Sequence, residues 1–452
     1  MSSALMNARV AVIGGGWSGA AAAWHLHHAR PGQGARWTWF ETAPQLGGRA
    51  RRLKPDSPLD NGQHIMIGAY RESLALIRSL RQAVLGEDEV RHPLFQRLPL
   101  TLLDPQGDGL VLPPGHPLLA FGRAMWSHPT WQLRDKLSLA RWSVAQALRG
   151  FDCPPELSVD ELCAGLTRTI RKELVEPLCV AALNTPSSQA CAVTFLQVLK
   201  DGLFGGSGAS DLLIPRVSLG AVLPEPLQHW CGQVQADLRL STRVQSLSPP
   251  RQGQPWLVNG EPFDAVILAC SAVEAARLCQ DFAPDWARTA AQFRYEPIAT
   301  AYFHAPVRKA WPAPMLALQE TPECPAQFAF LLREHPLPPP WQAKGHQWFS
   351  LVASGASGWV HRGQDVLGKA CIQQVQQQMR HLVATPQLQL AHLIVEKRAT
   401  FRCTPMLDRP PSRIARGLWA AGDYVEGRYP ATLEGAVRSG RAAASALIAE
   451  LS

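Results

Sequence analysis

Apolar positions near the start of the chain form short unbroken stretches that are separated by glycine or by helical periodicity. Residues 10–13 (VAVI) form a β-branched run, which is typical of a parallel strand buried on both faces. Glycines follow at once, and an alanine-rich helix is predicted over residues 20–28. A second strand is predicted over residues 36–40. This alternation of strand, helix and strand predicts an α/β fold.

The six residues after the first strand have the spacing G-x-G-x-x-G, which is typical of a dinucleotide-binding turn. Gly14 permits the tight turn, Gly16 lets the backbone approach a pyrophosphate, and Gly19 lets the helix pack closely on the strand. Trp17 and Ser18 stand at the helix N-terminus, where free N–H groups and the helix dipole favour phosphate. We therefore expect all five residues at a nucleotide site.

Glu41 ends the second strand and is placed to hydrogen-bond a ribose hydroxyl. The interval from the glycines is lengthened by an insertion-like loop at 30–34. A second glycine motif, LGGRA at 46–50, then follows. This segment resembles the flavoprotein family that includes amine oxidases and phytoene desaturases. The resemblance implies that Gly48 and Arg49 meet the diphosphate of FAD.

Two segments in the middle of the chain fit the same family. Residues 234–247 are predicted to form strand, turn and strand, and residues 263–270 form a buried strand. The resemblance implies that both return to the nucleotide domain and that the Val244 backbone lies over the adenine.

The C-terminal region adds a third segment of this kind. A strand is predicted to run into Gly422 and Asp423, and a final helix opens at residues 430–434. By resemblance, Gly422 and Asp423 meet the ribityl or diphosphate part of FAD. The helix N-terminus around Thr432 faces the N1–C2=O edge of the flavin, where positive helix-end potential stabilises the anionic reduced form.

The chain is thus predicted to have a Rossmann-like FAD-binding domain of class α/β, interrupted by a mixed helical and sheet (α+β) substrate domain. The FAD-binding domain takes residues 1–75, 215–290 and 396–452. The insertion 76–214 is predicted to be mostly helical. The insertion 291–395 is predicted to mix strands with proline-rich turns such as 336–340.

The stretch 118–148 places several Trp and other apolar residues among Arg and Lys. This pattern fits a helix pair that lies on a membrane or lines an apolar tunnel. An ordinary amphipathic helix that faces the core explains it equally well.

A closer resemblance covers nearly the whole chain. The segments 59–72, 177–186, 210–219 and 420–444 resemble the hydroxysqualene dehydroxylases of bacterial hopanoid synthesis. The resemblance implies FAD as cofactor and a polyisoprenoid substrate, hydroxysqualene, which loses its hydroxyl reductively to give squalene. In the family, the segment after the GGR motif runs along the isoalloxazine ring, which implies flavin contacts by Gly62, Gln63, His64 and Ile65.

The chemistry of such a reaction calls for a proton donor. Loss of water from an allylic alcohol leaves a stabilised carbocation, which a hydride from reduced flavin N5 can quench. Asp60 and His64 are the candidates, because both are polar and adjacent to the expected position of the ring. Tyr70 and Tyr429 are expected behind them.

Charge and composition limit the partners. The chain has 44 Lys+Arg against 36 Asp+Glu and no basic block, so nucleic-acid binding is not expected. The ten cysteines form no CxxC pair, which favours reduced thiols, and no metal site is expected, since His25, His27 and His28 lack an acidic or cysteine partner. No second dinucleotide motif is present, so the electron donor is expected to be external.

No apolar run approaches the ~20 residues needed to span a bilayer. We expect a cytoplasmic protein that contacts the inner face of the cytoplasmic membrane peripherally.

Two other functions are compatible with the motifs. One is a polyisoprenoid desaturase or an amine oxidase, for which Tyr424 and Tyr429 could supply part of an aromatic cage. The other is a non-catalytic prenyl-binding carrier of the same fold. The carrier is disfavoured because four residues expected at FAD are all present, namely Gly16, Glu41, Arg49 and Asp423.

Overall fold

The structure of the protein is a computed structural model in which residues 8–28, 36–85, 93–113, 115–251, 254–332 and 345–451 are described. The loop at 30–34 and the proline-rich turn at 336–340, which the sequence singles out, lie outside these residues.

Most of the described strands have two to five residues, and three strands have eight to thirteen. In chain order they are β1 (Arg9–Ile13), β2 (Arg36–Phe40), β3 (Met66–Ile67), β4 (Phe95–Leu98), β5 (Thr101–Leu103), β6 (Gly109–Val111), β7 (Leu212–Pro215), β8 (Asp237–Arg239), β9 (Leu247–Ser248), β10 (Trp256–Val258), β11 (Glu261–Phe263), β12 (Ala265–Leu268), β13 (Tyr295–Pro306), β14 (Met315–Ala317), β15 (Phe328–Leu331), β16 (His346–Ala353), β17 (Gln389–Phe401), β18 (Arg413–Ala415) and β19 (Leu418–Ala420).

The described α-helices cover both domains. They are α1 (Trp17–His28), α2 (Arg71–Val84), α3 (Pro117–Ser127), α4 (Leu133–Leu148), α5 (Val159–Leu162), α6 (Arg168–Ile170), α7 (Glu176–Leu183), α8 (Ala192–Phe204), α9 (Leu219–Val222), α10 (Pro224–Gln233), α11 (Ala272–Cys279), α12 (Pro284–Ala291), α13 (Ser357–Arg362), α14 (Gln364–Gln378) and α15 (Leu433–Leu451). A π-helical turn, Arg171–Val175, joins α6 to α7, and a 3-10 turn spans Thr385–Gln387.

The nucleotide domain is built on a sheet of order β18-β19-β12-β1-β2-β8, in which only the β18–β19 pair is antiparallel. Because side chains alternate along a strand, β1 serves two cores. Val10 and Val12 pack towards α1 and α15, whereas Ala11 and Ile13 pack towards α11 and α12. Burial on both faces explains why this strand is apolar throughout.

Helices α1 and α15 pack side by side against the central sheet. A Cβ atom at Gly440 in α15 would lie 2.0 Å from the carbonyl oxygen of Ser18 in α1. Glycine is therefore the residue that lets the two helix backbones approach this closely. The contact joins the first helix of the chain to the last.

The substrate domain contains an antiparallel sheet of order β14-β15-β16-β13-β17. Alternation again separates two faces. Ala301 and Phe303 of β13 pack on the side that α14 covers, together with Leu367. Ile298 and Phe328 belong to the opposite, cavity-facing side.

Helices α3, α4, α7 and α8 line the other side of the cavity. The π-helical turn precedes Pro177, which has no N–H group to donate to a helical carbonyl. The helical hydrogen-bond pattern continues through a longer-range bond, in which the Glu176 N–H donates to the Arg171 carbonyl. The turn brings Leu174 and Val175 to the cavity wall, consistent with the frequent use of such bulges at functional sites.

Several details differ from the sequence predictions. The predicted strand at 263–270 is broken at Asp264 and contributes to two sheets, β11 and β12. Helix α2, assigned to the insertion beyond residue 75, packs on α10 and α15 of the nucleotide domain. Strand β17 continues the substrate sheet to Phe401, beyond the expected boundary at 395.

The helical insertion also differs, because it contributes strands β4, β5 and β6. Within residues 234–247 only Asp237–Arg239 and the start of β9 are extended as strands.

Among the described residues, no helix combines the length and apolar character needed to cross a bilayer.

Candidate active site

One cavity of about 910 Å³ runs from the end of the central sheet into the substrate domain. Its nucleotide end is lined by the β1–α1 turn, the segment 47–50 and the start of α15. Its other end is lined by apolar side chains from α4, α7, α8 and the substrate sheet. The volume is near the upper end of the ~300–1,000 Å³ of ordinary ligand pockets.

The glycines of the first turn meet different steric demands. Gly14 has a φ of +113°, and a Cβ there would lie 2.5 Å from the carbonyl oxygen of Ala269. A Cβ at Gly19 would lie 2.1 Å from the Gly14 carbonyl oxygen. Gly16, by contrast, meets only the Cα of Gly48, at 4.0 Å, so its backbone stands open to the cavity. Trp17 and Ser18 also line the cavity at the N-terminus of α1.

Glu41 lies at the cavity end of β2. Its carboxylate accepts hydrogen bonds from the backbone N–H groups of Gly15, at 2.5 Å, and Ala43, at 2.6 Å. These bonds fix the acid beside the glycine turn, where it lines the cavity together with Val244. An acid and a glycine turn held in this way suit the ribose and pyrophosphate of a dinucleotide.

Arg49 joins the two ends of the chain at the cavity. Its Nη2 donates to the Asp423 carboxylate at 2.5 Å, and its Nη1 donates to the Ala399 carbonyl at 2.6 Å. Asp423 is 8% exposed. The GGR motif and the C-terminal Gly-Asp motif therefore meet in a short ion pair in the wall, and Gly422 and Asp423 both line the cavity.

Arg409 holds the loop that leads from this ion pair to α15. Its guanidinium donates to four backbone carbonyls, those of Asp423, Tyr424, Gly427 and Tyr429. The sequence analysis does not identify this residue, because a lone Arg in a loop carries no motif.

The N-terminus of α15 points into the cavity. The Thr432 hydroxyl caps the helix by accepting from the Gly435 N–H at 3.1 Å. Glu434 locks the first turn in place, since its carboxylate accepts from the N–H and the hydroxyl of Ser73 at the start of α2. The positive end of a 19-residue helix is thus directed at any ligand in the cavity.

The segment predicted to follow the flavin ring is divided by the fold. Gly62, Gln63, His64 and Ile65 all line the cavity, whereas Asp60 does not.

Both carboxylate oxygens of Asp60 accept from the N–H of Leu219, at 3.0 Å, in α9. Burial raises the pKa of Asp60 to about 7, although the Leu219 bond and nearby Arg52 act in the opposite direction. The Asp60 side chain is thus directed at a helix outside the cavity, so the structure does not bring it together with His64. The catalytic role of Asp60 stays a prediction.

His64 is placed in the cavity as a neutral acceptor. Burial lowers the pKa of His64, and its Nδ1 lies 3.0 Å from the carbonyl oxygen of Gly62. Because a carbonyl oxygen only accepts, Nδ1 carries the hydrogen in this contact and Nε2 is left as an acceptor. This state suits binding a hydroxyl group better than giving a proton to it.

A tyrosine and an acid form a second polar pair in the cavity wall. The Tyr429 hydroxyl donates to the Asp201 carboxylate at 2.9 Å, and Gln197 donates to the other oxygen of that carboxylate. Burial and Asp201 raise the pKa of Tyr429 to about 12, so its proton is retained at neutral pH. Asp201, in α8, has no sequence signal, because its partner lies 228 residues away.

The other tyrosines are engaged elsewhere. Tyr70 lines the cavity, and burial raises its pKa. Tyr424 packs edge-on against Phe293, with ring centroids 6.1 Å apart. Tyr429 is held by Asp201, and both Tyr424 and Tyr429 line the cavity.

The histidines of α1 pack on tryptophan rather than being fully solvated. His28 stacks on Trp24 with ring centroids 3.9 Å apart, and His27 meets Trp230 edge-on at 5.1 Å. Within the described residues, no group of three or more His, Cys, Asp or Glu side chains is arranged to hold a metal ion.

The far end of the cavity is walled by apolar side chains. These come from the helical insertion and from the substrate sheet, and include Phe121, Leu139, Trp142, Leu166, Leu174, Leu178, Phe195, Val198, Leu199, Met315, Phe328, Phe330 and Val352. Such a wall suits a long hydrocarbon and excludes water from the space beside the polar end.

A flavin nucleotide fits the polar end. Gly16 leaves room for a phosphate, and Glu41 is placed to hydrogen-bond a ribose. The N-termini of α1 and α15 both direct positive potential into the same space.

Comparison with known proteins agrees with this arrangement. A family model described as flavin containing amine oxidoreductase matches residues 17–448, so the chain belongs to this family of flavin-dependent oxidoreductases.

More particular relatives are hydroxysqualene dehydroxylases. The one from Sinorhizobium fredii is 28% identical, covering 98% of this chain and 99% of its own. Those from Rhodopseudomonas palustris and Zymomonas mobilis are 25% and 24% identical, over 98% and 96% of this chain and 99% and 97% of theirs. The predicted resemblance to these enzymes is confirmed.

Solved structures share the fold. A Methanosarcina mazei oxidoreductase has a TM-score of 0.67 and 14% identity, and covers 96% of this chain and 99% of its own. Cyclohexylamine oxidase from Brevibacterium oxydans has a TM-score of 0.65 and 14% identity, and covers 98% and 99%. The predicted α/β flavoprotein fold is confirmed.

Proposed function

We propose that this protein binds FAD and reductively removes the hydroxyl group of hydroxysqualene, releasing squalene, as a step in hopanoid synthesis. The observation that carries the proposal is a continuous cavity, which joins a dinucleotide turn to a long apolar compartment. The names of the three curated relatives supply the substrate.

Residues at the polar end would hold FAD. The diphosphate would lie against Gly16, Gly48 and the N-terminus of α1, and the ribose against Glu41. Val244 would lie at the adenine, and the residues 62–65 beside the ring. Thr432, at the start of α15, would face the pyrimidine edge. When bound and reduced, the flavin supplies the hydride.

The remaining chemistry belongs to the protein. The C–O bond of the substrate breaks as a proton reaches the leaving oxygen, which departs as water, and a C–H bond then forms at the same carbon. We assign the proton to the Tyr429 hydroxyl, which lines the cavity and would turn its hydrogen from the Asp201 carboxylate to the leaving oxygen. The phenolate that remains would recover its proton from solvent once the product leaves. The Nε2 of His64 accepts the hydrogen of the substrate hydroxyl and orients it before the bond breaks.

The apolar wall protects the cation that forms when the C–O bond breaks. Leu139, Phe195 and Phe330 belong to the apolar wall of the cavity, so little water is available to recapture the cation. The substrate would be taken from the inner face of the cytoplasmic membrane, where a hydrocarbon of this length resides, and the electrons would come from an external donor.

The test is a single anaerobic turnover. The purified holoprotein is photoreduced and mixed with hydroxysqualene, and flavin absorbance and squalene are followed together. We expect flavin reoxidation and squalene formation at the same rate and in equal amounts. Absence of both would reject the proposal.

The reverse chemistry is tested in the same preparation. A desaturase or amine oxidase would reduce oxidised flavin with polyisoprenes or amines and produce hydrogen peroxide in air. Peroxide formation with amines, without reoxidation by hydroxysqualene, would assign the protein to that function instead. Protein that purifies without flavin absorbance and does not take up FAD would indicate a carrier.

A further inference from the structure

Helices α3 and α4 each expose large apolar side chains to solvent. We call this set the apolar face. Its members are Leu119 (68% exposed), Trp126 (61%), Leu133 (61%), Leu137 (48%), Val144 (58%) and Leu148 (84%).

The spacing of these residues is helical. In α4, Leu133, Leu137, Val144 and Leu148 lie four, seven and four residues apart, which places them on one side of the helix. That side faces solvent. An ordinary amphipathic helix turns its polar side to water. The exposure of these apolar side chains is therefore unfavourable in water alone.

The charge around the apolar face is positive. Residues 117–149 contain five Arg or Lys and one acidic residue, Asp135. The acid is buried, with 2% exposed, and caps the N-terminus of α4. The side chains of Arg123, Arg134 and Arg141 are exposed. An apolar strip flanked by bases complements an anionic phospholipid surface.

The opposite side of the same two helices belongs to the cavity. Phe121 in α3, and Leu139, Trp142 and Ser143 in α4, line it. Only the thickness of one helix pair therefore separates the apolar face from the compartment that suits a long hydrocarbon.

We propose that the apolar face docks on an anionic phospholipid bilayer and that the hydrocarbon substrate passes between the bilayer and the cavity along α3 and α4. The substrate part of this inference rests on the proposed function, whereas the docking part does not. Leucine and tryptophan side chains enter the interface, and the flanking arginines pair with lipid phosphates.

The docking test is vesicle flotation of the full-length holoprotein. Vesicles of phosphatidylglycerol and phosphatidylethanolamine are compared with vesicles of phosphatidylcholine alone. We expect binding to the anionic vesicles that weakens at high salt. The variant Trp126→Gln/Leu148→Gln should bind at least ~10-fold less tightly, since both side chains lose apolar area that would enter the bilayer.

A matched pair controls for the loss of exposed apolar area. Val273 in α11 and Val366 in α14 are 38% and 45% exposed but lie outside the apolar face. The variant Val273→Gln/Val366→Gln should bind vesicles like the wild type.

A second control tests the contribution of the basic side chains to vesicle binding. Arg123→Glu/Arg141→Glu should lose binding to the anionic vesicles, whereas Lys369→Glu/Arg380→Glu, which changes net charge equally at exposed positions elsewhere, should retain most of it. Equal losses in both pairs would mean that net charge alone acts and would overturn the proposal. Wild-type protein that stays unbound, or that dimerises through the apolar face instead, would also overturn it.

A kinetic readout separates docking from catalysis. Trp126→Gln/Leu148→Gln should raise the KM for vesicle-borne hydroxysqualene and leave kcat and the KM for detergent-dispersed substrate unchanged. If the wild type binds vesicles but forms no squalene in either medium, the proposed function fails while the docking surface stands.

Discussion

The carboxylate of Asp60 is 7% exposed and is held by the N–H group of Leu219. Burial raises the pKa of Asp60 to about 7 in the folded protein, whereas an unfolded chain has a pKa of ~3.9. At pH values between these two pKa values, folding is therefore accompanied by uptake of a proton at Asp60. The stability that Asp60 contributes is complete below the lower value and is lost as pH rises through the higher one.

Substitution of Asp60 by Asn should remove this pH dependence, because the amide oxygen still accepts from Leu219 and carries no charge. Each unit of pKa shift corresponds to ~1.4 kcal/mol, so the variant should gain up to ~4 kcal/mol on the wild type between pH 4 and pH 8. Chemical denaturation of both proteins across this range measures the difference. A constant difference would contradict the shifted pKa, and loss of turnover in the variant would support a catalytic role.

Replacement of Tyr429 by Phe should lower the rate of the single turnover about 10²-fold or more, as expected for loss of a general acid. Flavin content should not change, because the hydroxyl faces Asp201 rather than the nucleotide turn. Asp201→Asn should lower the rate less, since it disturbs only the orientation of the donor. His64→Ala should act mainly on KM. A Tyr429→Phe enzyme with the wild-type rate would remove this residue from the mechanism.

Asp60 and Asp201 mark the limit of prediction for single residues. The sequence shows that Asp60 lies next to the segment expected at the flavin ring. The direction of its side chain, however, is set by a contact with α9, 159 residues away. Asp201 gains its place in the cavity from a contact with a loop that forms at the other end of the chain. No local pattern encodes either contact.

At the scale of elements, the approach of α1 to α15 depends on a missing side chain. Gly440→Ala would place a Cβ 2.0 Å from the Ser18 carbonyl oxygen, so the helices must separate. We expect a loss of about 1–3 kcal/mol of stability and weaker flavin retention, because the N-terminus of α15 moves with the helix.

A second helical glycine is the control for this change. Gly232, in α10, has open space where a Cβ would stand. Gly232→Ala should be neutral or stabilising by up to ~1 kcal/mol, since alanine favours helix more than glycine does. Thermal unfolding and flavin absorbance of both variants distinguish a packing effect from helix propensity.

The elements were predicted best where burial is uniform. The strand at residues 36–40 matches β2, and the strand before the glycine turn is β1 with one more residue, because both are buried and bounded by clear turn signals. The run 263–270 is equally apolar but breaks at Asp264, whose carboxylate accepts from the Arg9 N–H. Hydrophobic periodicity cannot predict such a contact between distant segments.

At the scale of the whole molecule, the cavity joins two domains, and its length should decide the substrate. Val198→Trp, on α8, would fill part of the apolar end. Turnover of hydroxysqualene should fall by roughly an order of magnitude or more, while flavin content and turnover of a shorter isoprenoid alcohol change little. Val366→Trp, an equal change at an exposed position of α14 outside the apolar face, should leave both substrates unaffected. Similar losses in the two variants would contradict the assignment.

The ion pair between Arg49 and Asp423 has a consequence for biosynthesis. The glycine turn leaves the ribosome early. Strand β12, which pairs with β1, the next strand β19, and helix α15, which packs on α1, are made much later. Until then the first strands carry apolar surface without a partner, a state in which nascent chains depend on chaperones. A cofactor bound as proposed, at both the glycine turn and the start of α15, would stabilise only the completed fold. Its supply during translation should then decide how much of the protein escapes proteolysis.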